Sequence, residues 1–202
     1  AIRGSFQVPE HRADPNSRML TIRYVRFPST SPRPGSPIVY LSGGPGGSGI
    51  ETAKRNRFPL FMAMRQFGDV IALDQRGTGA SDDNPVCEPK SAPSDSRQMT
   101  DADYAAAYRA AALECAAFWK AKGVDLRGYT TVESARDLDA LRRHLGADKI
   151  SLWGISYGTH LSLAAIKLMD DRLDRVVMAS AEGLDQTVKL PAATDAYFDR
   201  LQ

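Results

Sequence analysis

Four short apolar runs rich in β-branched residues punctuate the chain: PIVYL at 37–41, DVIAL at 69–73, KISLW at 149–153 and RVVMA at 175–179. They are too continuously apolar for strands that bury one face, which predicts a parallel sheet covered on both sides. Residues 18–27, RMLTIRYVRF, instead alternate, with Leu20, Ile22 and Tyr24 set against Thr21, Arg23 and Val25. They read as one strand of an antiparallel hairpin with a long loop, and they run into PSTSPRPGSP, a turn-rich stretch.

Helical periods lie between the runs. Tyr104, Tyr108, Ala111, Cys115 and Phe118 form one stripe within 101–120, and Val132, Ala135, Leu138, Leu141 and Leu145 form another within 131–145. Thr130 followed by Glu133 is a capping-box signal for the second helix, and Gly146 is its stop. THLSLAAIKLM, at 159–169, reads as a third helix. Strands alternating with helices give an α/β fold with right-handed crossovers.

Composition narrows the class. The chain of 202 residues suits one domain. Lys+Arg 26 against Asp+Glu 24 leaves a formal +2, spread along the chain, which argues against a nucleic-acid binder or a polybasic membrane anchor. The longest apolar stretches, such as Val70–Leu73 and Leu161–Ile166, fall far short of the roughly 20 residues a membrane helix needs. Cys87 and Cys115 have neither CxxC spacing nor a neighbouring His, so zinc is disfavoured and a disulfide or two buried thiols remain.

Three glycine-rich loops follow three of the strands. Gly154-Ile155-Ser156-Tyr157-Gly158 joins KISLW to the helical stretch, the context a nucleophile elbow requires. A serine on a strained turn projects its hydroxyl above the sheet, and side chains at 154 or 158 would collide where strand and helix pass closely. Ser42-Gly43-Gly44-Pro45-Gly46-Gly47-Ser48-Gly49 follows PIVYL and can turn backbone N–H groups toward an oxyanion. A P-loop is excluded, because Ile50-Glu51 stands where Lys and Ser/Thr are needed. Gly44, Gly46 and Gly49 do satisfy GxGxxG with Asp74 ending the next strand, but ETAKRNRFP makes a poor packed helix and GISYG would go unexplained. Asp74-Gln75-Arg76-Gly77-Thr78-Gly79-Ala80-Ser81 reads foremost as a turn stiffened by an Asp74–Arg76 pair. All three loops sit where ligands bind in open α/β sheets.

Together GGPGGSG, DQRGTGAS and GISYGT resemble the prolyl iminopeptidase and tripeptidyl aminopeptidase family of α/β-hydrolases, from about residue 5 to the end of the chain. The resemblance implies Ser156 as nucleophile and the backbone N–H groups of Gly44 and Tyr157 as the oxyanion hole. One departure is Ser42, where the family usually has His. The secreted tripeptidyl aminopeptidase branch is nearest in its cysteines, which implies a Cys87–Cys115 disulfide and a secreted or periplasmic location. No metal or organic cofactor is implied.

The resemblance also implies missing parts. The triad base of this fold follows the nucleophile, and only His160 does, one helical turn away on the elbow helix, where it reads as a packing or surface residue. His11 and His144 precede Ser156 and carry no recognisable role. Glu182 and Asp185 follow RVVMA, but the family places its acid one strand later, so neither is assigned that role. A sheet stopping at RVVMA would leave an apolar edge unpaired. The expectation is an amino-terminal core over 1–183 and the start of a lid over 184–202, with the last strands and most of the lid absent. The base and acid would then come from a carboxyl-terminal half of the same enzyme, possibly a separate chain. The function implied is a serine hydrolase releasing amino-terminal residues or short peptides from peptides. The alternatives are a carboxylesterase acting on small esters with the same machinery, and a noncatalytic module on this fold.

Overall fold

The computed structural model describes residues 1–93, 99–185 and 191–200. Its strands are β1 (Ile2–Pro9), β2 (Met19–Phe27), β3 (Gly35–Leu41), β4 (Gly68–Leu73), β5 (Ile150–Ile155) and β6 (Leu173–Ala179). The helices are α1 (Gly49–Thr52), α2 (Phe58–Met64), α3 (Asp101–Ala121), α4 (Thr131–His144), α5 (Tyr157–Met169) and α6 (Pro191–Asp199). They build one six-stranded sheet in the order β1-β2-β4-β3-β5-β6. β3 runs parallel to β4 and β5, and β5 parallel to β6, while β1 and β2 are antiparallel to each other and β2 to β4.

The four apolar runs are the four parallel strands; β3, β4 and β5 are buried on both faces as their composition requires, whereas β6 buries only Leu173. On one face Val39, Leu41, Ile71, Leu73 and Leu152 pack with Leu138 and Leu141 of α4 and Leu161 and Ala165 of α5. On the other, Tyr40, Val70, Ala72 and Trp153 close around Phe61 of α2. The Tyr40 and Trp153 rings meet edge to face with centroids 4.8 Å apart. The hairpin partner of β2 is β1, on its amino-terminal side. The proline-rich stretch instead crosses to β3, two places away in the sheet.

Both helical stripes need correction. In α4, Val132 is exposed, and Glu133 and Asp137 take inward positions beside Leu138. Two guanidiniums, those of Arg12 and Arg76, meet these carboxylates from outside the helix and make their burial affordable. The capping box is half formed: Thr130 Oγ1 accepts from the Glu133 N–H, but the Glu133 carboxylate goes to Arg12 and Arg136. In α3, Ala111 and Cys115 are buried while Tyr104 and Tyr108 lie exposed. That helix is tied down near its carboxyl end, by a Cys87–Cys115 disulfide and by Trp119 Nε1 donating to the Pro85 carbonyl. Gly146, at φ +64, stops α4 as expected.

β6 is one of the two outer strands, with Val177 and Met178 exposed. α6 falls within the stretch expected to start a lid, and residues 186–190 and 201–202 of that stretch lie outside those described.

Candidate active site

β3, β4 and β5 are adjacent and parallel, so their three glycine-rich loops emerge at one edge of the sheet. Asp74, 1% exposed at the end of β4, ties two of them together. Its Oδ1 accepts from Ser48 Oγ at 2.7 Å and from the Ile50 N–H at 3.0 Å, and its Oδ2 accepts from the Ala80 N–H at 2.8 Å. Gln75 Nε2 reaches the Ser42 carbonyl at 3.3 Å. The GxGxxG match is therefore part of a loop clamp: Gly49 opens a helix of a single turn, too short to present a dinucleotide site.

Arg76 turns the other way. Its Nε and Nη2 form a fork on Asp137, each at 2.7 Å, while Nη1 donates to the carbonyls of Glu10 and Gly128 at 2.6 Å. The expected Asp74–Arg76 pair is thus replaced by two separate anchors. Asp74 fastens the loop to its neighbour across the site, and Arg76 fastens it to the end of β1, to the turn at 126–128 and to α4. Burial acts to raise the Glu133 carboxyl, but hydrogen bonds from Arg12 and Arg136 and the nearby charge of Arg76 outweigh it and hold it below the usual range. Glu10 is lowered in the same way: burial opposes, and Arg18, the Asp125 N–H and the Tyr129 hydroxyl prevail.

Ser156 sits at the junction of β5 and α5 with φ 53 and ψ −123, a left-handed backbone that an L-residue adopts only under constraint. The constraint is steric and local. A Cβ at Gly154 would lie 2.5 Å from the Gly158 carbonyl oxygen and 2.7 Å from Ser162 Oγ, and one at Gly158 would lie 2.8 Å from the Leu41 carbonyl carbon. Helix and strand approach this closely only because both positions lack side chains. The Ser156 N–H donates to the Ala179 carbonyl at 3.0 Å, and its own carbonyl accepts from Thr159 N–H and Thr159 Oγ1, both at 2.7 Å.

The glycine-rich loop after β3 comes right up to this serine. A Cβ at Gly43 would stand 3.1 Å from Ser156 Cβ and 3.4 Å from its Oγ, and Gly44, at φ +121, follows. Tyr157 is the first residue of α5, and its hydroxyl bonds Thr131 Oγ1 at 3.1 Å. Ser156, the Gly43-Gly44 turn and the start of α5 are thus brought to one place.

The histidines are all occupied elsewhere. His11 Nδ1 meets Asp125 Oδ2 at 2.9 Å, and His144 Nε2 meets the Tyr24 hydroxyl at 3.1 Å. His160 stacks on the Tyr157 ring at 5.7 Å and places Nδ1 2.8 Å from the Gly183 carbonyl. Among the described residues, the group that takes the Ser156 hydroxyl is a carboxylate: Ser156 Oγ donates to Glu182 Oε1 at 2.8 Å. Glu182, which carries no expected role as triad acid, is thus in direct contact with the serine. The only signal for it was its place just past the strand beside the elbow. Asp185 is exposed, and among the described residues it shares no hydrogen bond with the serine. Among the described residues, no group of His, Cys, Asp and Glu is arranged to hold a metal ion, and no helix is long and apolar enough to cross a membrane.

Comparison with known proteins extends this picture. The chain is 31% identical over 186 residues to a tripeptidyl aminopeptidase of Streptomyces lividans, a match covering 88% of this chain and 34% of that protein. It is 29% identical over 187 residues to serine protease Hip1 of Mycobacterium tuberculosis, covering 90% of this chain and 36% of that protein. The chain thus spans about a third of the length of these relatives. Among solved structures, a probable hydrolytic enzyme from Pseudomonas aeruginosa superposes with a TM-score of 0.56 at 17% identity, over 91% of this chain and 43% of that one, which is a likeness of fold. Residues 36–201 match the family model described as alpha/beta hydrolase fold. That match runs from the start of β3 to beyond α6, well over half of the chain, and on this ground the chain belongs to the α/β-hydrolase fold family.

Proposed function

We propose that this chain carries the nucleophile of a serine hydrolase that releases amino-terminal residues or short peptides from peptides. The observation behind the reading is the backbone of Ser156: a φ of 53, held by two glycines that admit no side chain, with the Gly43-Gly44 turn packed against it. The similarity to a tripeptidyl aminopeptidase and a serine protease supports the substrate class. In the proposed reaction, Ser156 Oγ attacks the scissile carbonyl, and the N–H groups of Gly44 and Tyr157 donate to the oxyanion. The amine departs with a proton, leaving an acyl-enzyme, and water then releases the acyl group and restores the serine. The base that takes the hydroxyl proton is a histidine outside this chain, on the carboxyl-terminal portion of the enzyme, which would also cover the exposed face of β6. The disulfide agrees with an extracytoplasmic site of action.

The test is intact mass spectrometry of the native preparation before and after a fluorophosphonate probe, with Ser156→Ala as control. A single adduct mapped to Ser156 and lost in the variant is expected. A preparation that turns over a short acyl ester yet takes no label at Ser156 refutes the assignment. Fast ester hydrolysis beside negligible hydrolysis of aminoacyl, dipeptidyl and tripeptidyl arylamides would replace the peptidase reading with that of a carboxylesterase. Rescue of activity by a polypeptide carrying a carboxyl-terminal His would count against a noncatalytic module.

A further inference from the structure

Asp74 is a buried carboxylate that shares no salt bridge among the described residues; three neutral donors hold it, Ser48 Oγ and the N–H groups of Ile50 and Ala80. Taking a carboxylate out of water with no cation to meet it costs free energy. All three donors belong to the two loops beside the elbow. The next residue, Gln75, is 7% exposed and donates from Nε2 to the Ser42 carbonyl at 3.3 Å. Two consecutive residues at the end of β4, with Cα atoms about 3.8 Å apart, thus grip both ends of the turn that carries Gly43 and Gly44. Gln75 holds its entry at Ser42, and Asp74 holds its exit at Ser48 and Ile50.

The turn needs such a hold. Gly43, Gly44, Gly46 and Gly47 have no side chains to pack, and glycine loses more backbone freedom on ordering than any other residue. Within the turn the Gly47 N–H donates to the Gly43 carbonyl at 3.1 Å. A donor stabilises an oxyanion fully only if it is fixed before the charge develops. Resting on the serine-hydrolase reading above, we infer that Asp74 and Gln75 are positioning residues for catalysis, which set the Gly43-Gly44 turn, and with it the Gly44 N–H, against Ser156. A Cβ at Gly43 would stand 3.1 Å from Ser156 Cβ, so the turn has no room to move inward. Outward movement withdraws the donor, and a misplacement of about 1 Å can cost about 100-fold in rate. Acylation and deacylation both pass through an oxyanion, so the loss falls on kcat.

The experiment compares the native preparation with Asp74→Asn, Gln75→Leu and Ser48→Ala. The Asn form keeps the shape of the side chain but places an NH2 group where an acceptor stood, so it cannot accept from all three donors. Three probes are used: a short acyl ester, a trifluoromethyl ketone of the same chain length, and the matching secondary alcohol. Ser156 adds to the ketone: the Oγ–carbon bond forms, the carbonyl π pair becomes an oxyanion, and the hydroxyl proton passes to the base. The alcohol fills the same space and forms no oxyanion. Asp74→Asn is expected to lower kcat for the ester by about 10- to 100-fold, and each of the others by about 3- to 10-fold, with KM within about twofold. Ketone affinity should fall by the same factor as kcat/KM while alcohol affinity stays unchanged. Circular dichroism checks folding; if Asp74→Asn does not fold, the other two variants decide, since each removes a single grip. Folded variants whose kcat stays within about twofold of wild type overturn the assignment. Equal weakening of ketone and alcohol also overturns it, because that is what a merely structural change in the pocket produces. Ketone binding that survives Ser156→Ala overturns the nucleophile reading and this assignment with it, whereas binding lost in Ser156→Ala but kept by the other variants overturns the positioning role alone.

Discussion

Replacing Arg76 with Met should destabilise this chain severely, although the residue lies away from Ser156. The side chain is 1% exposed and makes a fork to Asp137 and two hydrogen bonds to the carbonyls of Glu10 and Gly128. Met fills much of the volume but satisfies none of these acceptors. Breaking a buried ion pair by removing one partner typically costs about 3–5 kcal/mol, mostly the penalty of the stranded charge. Arg12 Nη2 still reaches Asp137 at 2.6 Å, which keeps the loss within that range. At about 2–4 °C per kcal/mol for a chain of this size, the midpoint should fall by about 6–20 °C. The assay is thermal and urea denaturation followed by circular dichroism, with labelling of Ser156 recorded at a temperature where both forms are folded. Adding Asp137→Leu should recover part of the loss, because the stranded carboxylate is then gone. A single-variant loss below about 1 kcal/mol, or a double variant worse than the sum of its parts, would show that the network is ornamental and that the loop is held by Asp74 alone.

Gly158→Ala should give little soluble protein and no label at Ser156, since its methyl has nowhere to go against the Leu41 carbonyl; normal expression and labelling would contradict the elbow geometry. Replacing both Cys87 and Cys115 with Ser should lower stability by about 3–4 kcal/mol in the chain-entropy model for a separation of 28 residues, measured by urea denaturation. Glu10 and Glu133 have depressed carboxyl pKa values, so their contribution is complete above the ordinary glutamate range of about 4.3 and is lost as pH falls through the depressed values. The midpoint measured from pH 7 to pH 3 should therefore drop on the acid side, and Glu133→Gln should flatten that drop.

The inner parallel strands β3, β4 and β5 were legible because burial on both faces writes a continuous apolar run, and the elbow because close approach of strand and helix forces glycine at 154 and 158; β6 carries such a run although most of it is exposed. β1 was missed: IRGSFQVP buries only Phe6 and Val8, and its polar positions carry no strand signal stronger than that of a loop. Val132 misled because a helix face was judged by hydrophobicity, when two arginines from distant segments had made Glu133 and Asp137 the better inward residues. The same blindness to long-range charge produced the Asp74–Arg76 pair, which adjacency suggests and the structure replaces with partners 26 and 61 residues away. Glu182 reaches Ser156 through a left-handed turn at Ser180, and nothing in the local composition announces that turn.

The Arg76 network also bears on the timing of folding. Its partners lie 52 to 66 residues away along the chain, so the guanidinium finds them only after the sheet has brought β1, β4 and α4 together. Contacts that close such long loops come after most of the ordering entropy has been spent. Arg76 is then a late clasp, absent from the transition state: its loss should leave the refolding rate nearly unchanged and appear almost wholly as faster unfolding. Wherever unfolded chains are not rescued, the lifetime of the native state matters more than its equilibrium margin, and that lifetime is what a late clasp lengthens.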